Sequence, residues 1–449
     1  MSSSPQPITV NEFPAYGQQR GMVLLSDLDD DGFLRTNVSE PVWNVLRIDG
    51  PVDTARLAQA VAAVTESVDS LHVRLRDTEQ GPIVVFDKPR PFELEVIDVE
   101  RVTQDGRLSP EAAAALAPRL FDKIDLQQSP TGRICLLTAG QFGNLLTFSF
   151  DHSTLDGWSL GLLTKSIAQS YRSGTAPRTQ ARGFREYLLS LPDAAAQERH
   201  LTGWKELLAE HPPPGMQLHF PGGISKPDGN FLINGHFETS LHFPTGTQMA
   251  TAVGQLELTR AELLAAVAGL AVNKWASGPQ PLLGLRHGRH RREDTLVMGP
   301  LVEPYVSLPP GAQPRTVGEW LTSHRTANQH TPPLYGRSIR EVGALGPRNV
   351  AFNVIPPARP VPFGSSLKGE TATQEYLAPL WAGGRPSVPS TAAMWVNFYM
   401  DRPGELDVLI THDQDVIPDP GIFVETMRRV IALAAQSPDI ELAVALTHI

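Results

Sequence analysis

The spacing of apolar and polar residues predicts alternating strands and helices in the first part of the chain. Residues 42–48 alternate apolar and polar side chains, which indicates a half-buried strand. Gly50 and Pro51 then turn the chain into a segment, residues 54–68, whose apolar residues recur every three or four positions. Another apolar strand follows at residues 82–86. The first hundred residues therefore predict a mixture of strand and helix.

A hairpin is predicted next. Residues 133–138 and 144–150 are apolar strands, and the five residues between them include two glycines. A helical pattern follows at about 160–171, and Gly174 marks its end. The second strand of the hairpin thus runs into a short loop that leads to a helix.

The later part of the chain predicts a second unit. Thr259 and Glu262 form a capping-box signature for an apolar helix that runs to about residue 275. After a loop-rich stretch, strands are predicted at 393–399 and 406–412 and a helix at 420–435. Residues 173–180 are small, polar and unpatterned, which is typical of a connection between lobes. We therefore divide the chain into residues 1–175 and 176–449, both of the α/β (α+β) class.

Composition narrows the function classes. A net charge of −10 over 449 residues is unfavourable for a general nucleic-acid binder, which needs a broad basic face. The N-terminus lacks a basic start followed by an apolar stretch, and residues 263–272 are too short to cross a bilayer. Thirteen histidines and one cysteine do not form a metal-ligand pattern. We expect a cytoplasmic protein that binds no nucleic acid, membrane or metal.

One segment is strongly basic. Residues 286–292 contain four arginines: Arg286, Arg289, Arg291 and Arg292. Such a cluster could bind a phosphate group or an acidic partner surface. It could equally be a solvated strand end and turn.

The chemistry is expected at His152. This histidine follows an apolar strand and stands in a tight loop, where a side chain can be held rigidly at a cleft. The unperturbed pKa of an imidazole lies near working pH, so His152 could take a proton from an attacking amine or hydroxyl. Asp156 could brace this loop through a salt bridge, and Gly157 lets the backbone turn closely.

Residues Asp151 to Gly157 are similar to the His-His-x-x-x-Asp-Gly motif of nonribosomal peptide synthetase condensation domains, in the chloramphenicol-acetyltransferase-like superfamily. Asp151 replaces the first histidine of that motif. The similarity continues along the chain in the order of the family's motifs. Gly17 to Arg20 resembles the opening Ala-Gln-x-Arg motif, and residues 184–187 with 204–208 resemble the crossover between lobes. Residues 298–304 stand where the family has a Gly-x-Phe-Val-Asn-Thr strand, and Glu303 replaces the asparagine of that motif.

This resemblance implies two chloramphenicol-acetyltransferase-like lobes in a V-shaped pseudo-dimer, with the active site in a central tunnel. His152 would deprotonate or position the nucleophile, and the Gly157 N–H would bind the oxyanion. Asp156 would be structural and paired with an arginine, with Arg289 the first choice and Arg286 the second. Asp151 would also be structural.

The implied function is that of a free-standing condensation enzyme in nonribosomal peptide or other natural-product biosynthesis. It would transfer an acyl or aminoacyl group from 4'-phosphopantetheine on a donor carrier protein to an amine or alcohol acceptor, with no cofactor of its own. Arg286, Arg291 and Arg292 are the candidates for substrate or carrier binding. Two alternatives stay open: a transferase that uses acyl-coenzyme A directly, and a non-catalytic module that recruits a carrier protein.

Overall fold

The computed structural model of the chain describes residues 11–25, 27–36, 41–127, 130–140, 143–175, 182–210, 219–226, 230–242, 247–276, 279–311, 314–337, 341, 350–355, 359–364, 367–381, 387–390, 392–400 and 405–448. Its helices are α1 (Gln18–Leu25), α2 (Thr54–Ser67), α3 (Pro110–Phe121), α4 (Gly157–Ser173), α5 (Phe184–Leu189), α6 (Ala194–Glu210), α7 (Thr247–Leu256), α8 (Arg260–Asn273), α9 (Val317–Asn328), α10 (Gln374–Leu377), α11 (Gly421–Gln436) and α12 (Leu442–His448). Short 3-10 helices cover Asp69–His72, Arg292–Leu296 and Ala378–Trp381.

The strands are β1 (Glu12–Pro14), β2 (Asp27–Leu28), β3 (Leu34–Thr36), β4 (Val42–Ile48), β5 (Val73–Arg76), β6 (Ile83–Phe86), β7 (Leu94–Asp98), β8 (Thr103–Gln104), β9 (Arg107–Leu108), β10 (Gly132–Thr138), β11 (Asn144–Phe150), β12 (Phe231–Ile233), β13 (Gly235–His242), β14 (Leu282–His287), β15 (Val302–Ser307), β16 (Val350–Ile355), β17 (Val361–Pro362), β18 (Lys368–Thr371), β19 (Val388–Ser390), β20 (Met394–Tyr399) and β21 (Glu405–His412).

The first large sheet has the strand order β17, β18, β4, β11, β10, β7. The predicted hairpin is present as the antiparallel pair β10 and β11. Every residue of β11 is buried. Successive side chains point to opposite faces of a strand: Leu146 packs in the core cluster that contains residues of α2 and α4, and Leu145 in the cluster that contains residues of α3. Cover on both faces explains why β11 is buried along its whole length.

Helix α4 begins directly after the loop that follows β11. Asp156 is its N-cap, and its side chain accepts a hydrogen bond from the Ser159 N–H. Gly174 ends the helix in the left-handed conformation at φ 67°, which costs glycine little, so the predicted helix end is confirmed. The strand, the loop and the capped helix therefore hold His152 just beyond the C-terminal end of β11.

The second large sheet has the order β13, β21, β20, β16, β14, β15. Helix α8 packs in its core, and the capping box predicted at its start is present: the Thr259 hydroxyl accepts from the Glu262 N–H at 3.2 Å, and the Glu262 carboxylate accepts from the Thr259 N–H at 2.7 Å. Every residue from Leu263 to Val272 is buried. This part of the fold was predicted correctly from the apolar helix and the final strands.

A segment from the second half of the chain returns to the first sheet. β18 pairs antiparallel with β4, with Gly369 opposite Ile48 and Thr371 opposite Leu46. Beyond it the Tyr376 ring lies 4.9 Å from the Arg47 guanidinium. The first sheet is thus completed by residues that follow the predicted boundary at 175/176. Residues 176–181 at that boundary lie outside the described residues, so the boundary itself stays a prediction.

Among the described helices, none combines the length and the apolar character needed to cross a membrane.

Candidate active site

The loop after β11 is held tightly by Asp151. The Asp151 N–H donates to the Thr131 carbonyl at 2.9 Å, and the Asp151 carboxylate accepts from the Ser153 N–H at 2.8 Å. The Asp151 carbonyl accepts from the Thr154 N–H at 3.0 Å and from its hydroxyl at 2.8 Å. His152 is partly exposed between the buried residues Asp151 and Ser153. An aspartate that bonds the backbone two residues on is a recurrent way to fix a turn.

Open space lies in front of the first residue of α4. Gly157 is exposed, and a methyl group added to it would meet no atom within 4 Å. The first N–H groups of a helix have no intrahelical acceptor. Within the part of the chain that the structure describes, the Gly157 N–H has no hydrogen-bond partner. The start of α4 therefore offers a backbone donor beside the His152 loop.

Asp156 forms a buried ion pair with Arg289. Arg289 donates to the two carboxylate oxygens of Asp156 at 2.9 and 3.2 Å, and the side chains are 1% and 0% exposed. The Leu301 N–H adds a third bond to Asp156 at 3.0 Å. Of the two arginines considered for this role, the structure brings Arg289 to Asp156. Bidentate pairs of this kind fix orientation as well as distance.

The second candidate partner, Arg286, points elsewhere. Its guanidinium donates to the Pro332 carbonyl at 2.6 Å and to the Thr331 hydroxyl at 3.2 Å. Its Nε lies 4.0 Å from a carboxylate oxygen of Glu303. Arg286 therefore anchors the chain near residue 332 and leaves Asp156 to Arg289.

The other two arginines of the cluster are both exposed but differ in their hydrogen bonds. Arg291 donates from Nε to Asp294 at 3.0 Å and from a terminal nitrogen to the Ser190 hydroxyl at 2.5 Å. Arg292 is exposed and, among the described residues, makes no side-chain hydrogen bond or ion pair. The four arginines thus do not form one continuous basic surface. Arg292 is the member whose side chain is available to a ligand.

Ser159 ties the loop to the residues around Gly299. The Ser159 hydroxyl donates to the Gly299 carbonyl at 2.8 Å and accepts from Arg289 at 2.7 Å. The Asp156 N–H donates to the same carbonyl at 3.2 Å. Segments before and after the midpoint of the chain therefore meet at the His152 loop.

Gln19 reaches the same loop from α1. Its Nε2 donates to the Ser153 carbonyl at 2.7 Å, its Oε1 accepts from the Tyr16 N–H at 2.8 Å, and the residue is fully buried. In the sequence, Gln19 belongs to the segment that resembles the opening motif, and that resemblance alone does not place it at the site. Ser159 carried no signal except its position three residues after Asp156.

Glu303 lies in a buried polar network. Its carboxylate accepts from the Tyr16 hydroxyl at 2.7 Å, from the Gly336 N–H at 3.0 Å, and bonds His290 at 3.0 Å. Burial raises the pKa of Glu303, but the hydrogen bond and charge of His290 and the Tyr16 hydrogen bond outweigh it, so the pKa is lowered. Burial, with the Glu303 charge, raises the pKa of Tyr16. Glu303 is thus a carboxylate that joins neighbouring segments.

Among the described residues no group of three histidine, cysteine, aspartate or glutamate side chains is arranged to hold a metal ion.

Comparison with known proteins identifies the family. The condensation-domain model matches residues 11–305, which is more than half of the chain. Chondramide synthase from Chondromyces crocatus is 25% identical over 231 residues, which is 47% of this chain and 6% of that protein. Cyclosporin synthetase from Tolypocladium inflatum is 28% identical over 233 residues, 48% of this chain and 2% of that protein. The chain thus spans a small fraction of the length of these curated relatives.

Solved structures agree on the fold. The first condensation domain of the calcium-dependent antibiotic synthetase has a TM-score of 0.73 at 19% identity, and the match covers 96% of this chain and 98% of that one. The chain belongs to the condensation-domain family, whose members catalyse acyl transfer in nonribosomal peptide synthesis. Its fold is the mixed α/β, chloramphenicol-acetyltransferase-like fold that the sequence analysis predicted.

Proposed function

We propose that this chain is a condensation enzyme that transfers an acyl or aminoacyl group from a carrier-protein thioester to an amine or alcohol. The observation that carries the proposal is the juxtaposition of His152, on a loop fixed from several sides, with the open Gly157 N–H at the start of α4. A base and an oxyanion donor beside empty space are what thioester aminolysis or alcoholysis requires.

In the proposed reaction the His152 imidazole takes the proton of the acceptor as the acceptor's lone pair attacks the thioester carbonyl. The Gly157 N–H and the positive end of the α4 dipole stabilise the oxyanion. When the tetrahedral intermediate collapses, the carbon–sulfur bond breaks. The leaving phosphopantetheine thiolate takes the proton from the imidazolium, so no covalent enzyme intermediate forms.

The other residues hold these groups or bind the donor. Asp156 and Arg289 keep the start of α4 in place through their buried ion pair, and Asp151 fixes the turn. We assign Arg292 to the phosphate of the phosphopantetheine arm because its side chain is exposed and available. Arg286 and Arg291 would contribute positive potential nearby while they keep their protein hydrogen bonds.

The proposal is tested by offering one acyl group on three donors: a separately purified phosphopantetheinyl carrier protein, coenzyme A and free pantetheine. Each is mixed with a panel of amines and alcohols, and products are measured by mass spectrometry. We expect the carrier-bound donor to give the fastest product formation. A carrier protein whose phosphopantetheine-bearing serine is replaced by alanine is the control and gives no product.

Equal, saturable rates with acyl-coenzyme A would instead support the coenzyme-A alternative. Carrier binding without product from any acceptor would support the recruitment module. One structural relative fits that alternative: an X-domain solved in complex with OxyB from teicoplanin biosynthesis has a TM-score of 0.69 at 17% identity, with 99% of this chain and 96% of that one covered.

The open space at Gly157 leads to a separate prediction. Gly157→Ala is expected to lower kcat/KM about tenfold or more, because the methyl group would occupy the place of the thioester carbonyl and a small misplacement of reacting atoms is costly. The thermal midpoint should not fall, since the methyl meets no atom within 4 Å and alanine favours a helix over glycine.

Gly254→Ala is the matched control, because Gly254 is also an exposed helical glycine with no atom within 4 Å of an added methyl group. Its kinetic constants should match those of the unmodified protein. An unchanged kcat/KM for Gly157→Ala would show that the space in front of α4 is not used by the reacting thioester.

A further inference from the structure

Ser153, the residue after His152, is held through both of its backbone polar groups. Its N–H donates to the Asp151 carboxylate at 2.8 Å, and its carbonyl accepts from Gln19 Nε2 at 2.7 Å. Asp151 lies two residues before Ser153, whereas Gln19 lies in helix α1, 134 residues before Ser153. The Gln19 side chain is fully buried, so water does not compete for this bond.

These two bonds fix two successive peptide planes. The N–H of Ser153 belongs to the plane that joins it to His152, and its carbonyl belongs to the plane that joins it to Thr154. A peptide plane is rigid, so the loop can change shape only by rotation between planes. The plane on the other side of His152 contains the Asp151 carbonyl, which accepts from the Thr154 N–H and hydroxyl. The two planes that flank His152 are therefore held, and the Gln19 bond fixes the next plane, so the direction of the His152 Cα–Cβ bond is fixed.

Gln19 is itself firmly anchored. Its Oε1 accepts from the Tyr16 N–H, and the Tyr16 hydroxyl donates to Glu303 and contacts the Tyr187 hydroxyl at 2.9 Å. Glu303 is 0% exposed and also accepts from the Gly336 N–H. The anchor therefore combines residues that are distant in sequence and lie away from the His152 loop.

We infer that Gln19 is the positioning residue for His152, holding the loop from outside it through the Ser153 carbonyl. The inference rests on the proposed function for its catalytic meaning. The physical requirement is specific: at this point the side chain must accept one hydrogen bond, from Tyr16, and donate another, to Ser153. Glutamine satisfies both requirements at every pH.

Gln19→Glu turns this requirement into a pH-dependent one. A protonated carboxyl can accept from Tyr16 and donate to Ser153, as the amide does, whereas an ionised carboxylate only accepts and faces the Ser153 carbonyl oxygen unfavourably. The ratio of variant to unmodified kcat, measured with the acyl-carrier donor, should therefore fall as pH rises and be lower by about tenfold or more at the alkaline end. KM for the donor should change much less.

A second measurement needs no substrate. Hydrogen–deuterium exchange of the amides of residues 151–156 should be faster in Gln19→Leu than in the unmodified protein, and faster in Gln19→Glu at high pH than at low pH after correction for intrinsic exchange. Gln197→Glu is the control, since Gln197 also donates its amide to a backbone carbonyl, that of Pro192 at 2.8 Å, in a segment away from the loop.

Unchanged exchange in residues 151–156 in both Gln19 variants, or a kcat ratio that does not vary with pH while the thermal midpoint is retained, overturns the inference. If the unmodified protein makes no product with any donor, the proposed function fails. The exchange measurement then still decides whether Gln19 holds the loop.

Discussion

Replacing His152 by alanine is expected to lower kcat about a hundredfold or more, the usual scale for loss of a general base. The loop should keep its shape, because Asp151, Gln19 and Thr154 hold its backbone through hydrogen bonds. KM for the carrier-bound donor should therefore change little. Single-turnover product formation, followed by mass spectrometry, measures the effect on the chemical step.

His330→Ala is the control for general effects of histidine loss, since His330 is exposed and lies just after α9 near the second sheet. Its rates should equal those of the unmodified protein. If His152→Ala formed product at the rate of the unmodified protein, His152 would have no part in the mechanism. Gly157 would then have a role in binding only.

The second large effect concerns the Asp156–Arg289 pair. Asp156→Ala is expected to lower the free energy of unfolding by about 3–5 kcal/mol, because it leaves a buried arginine without its counter-charge. It also removes the N-cap of α4, which adds to the loss. The midpoint of denaturant unfolding measures the change, and activity should fall with it as the His152 loop loses its brace.

An exposed pair provides the contrast. Glu425 bonds Arg428 at 2.7 Å on α11, with side chains 41% and 47% exposed, and Glu425→Ala should cost no more than about 1 kcal/mol. The double variant Asp156→Ala/Arg289→Met should be more stable than Asp156→Ala alone, since no unpaired charge remains. A double variant that merely adds the two losses would contradict a direct coupling between these side chains.

Patterns that depend on neighbours in sequence predicted local structure well. The alternation at 42–48 gave β4 with its observed ends, and the Thr259–Glu262 signature gave the start of α8. The first pattern shows which side chains of a strand are buried, and the second shows where a helix is capped. Both depend on residues that are close together in sequence. The His152 motif likewise placed the candidate base at the end of β11.

Contacts between distant segments could not be predicted in the same way. The residues of β18 are too few to show a period, and their pairing with β4 depends on the whole fold. Arg286 and Arg289 carry the same guanidinium group, and the structure distinguishes them because Arg289 follows the end of β14 and turns towards Asp156. The contact of Gln19 with Ser153 joins residues 134 positions apart, and a motif match alone does not state what its residues touch.

The addition of β17 and β18 to the first sheet affects how this sheet forms during synthesis. While the chain emerges from the ribosome, β4 and β11 are available early, but β18, which covers the remaining edge of β4, is synthesised long afterwards. Until then β4 presents unpaired backbone groups of the kind that attract other strands. The sheet that carries His152 therefore begins to form long before its last strands, β17 and β18, are synthesised.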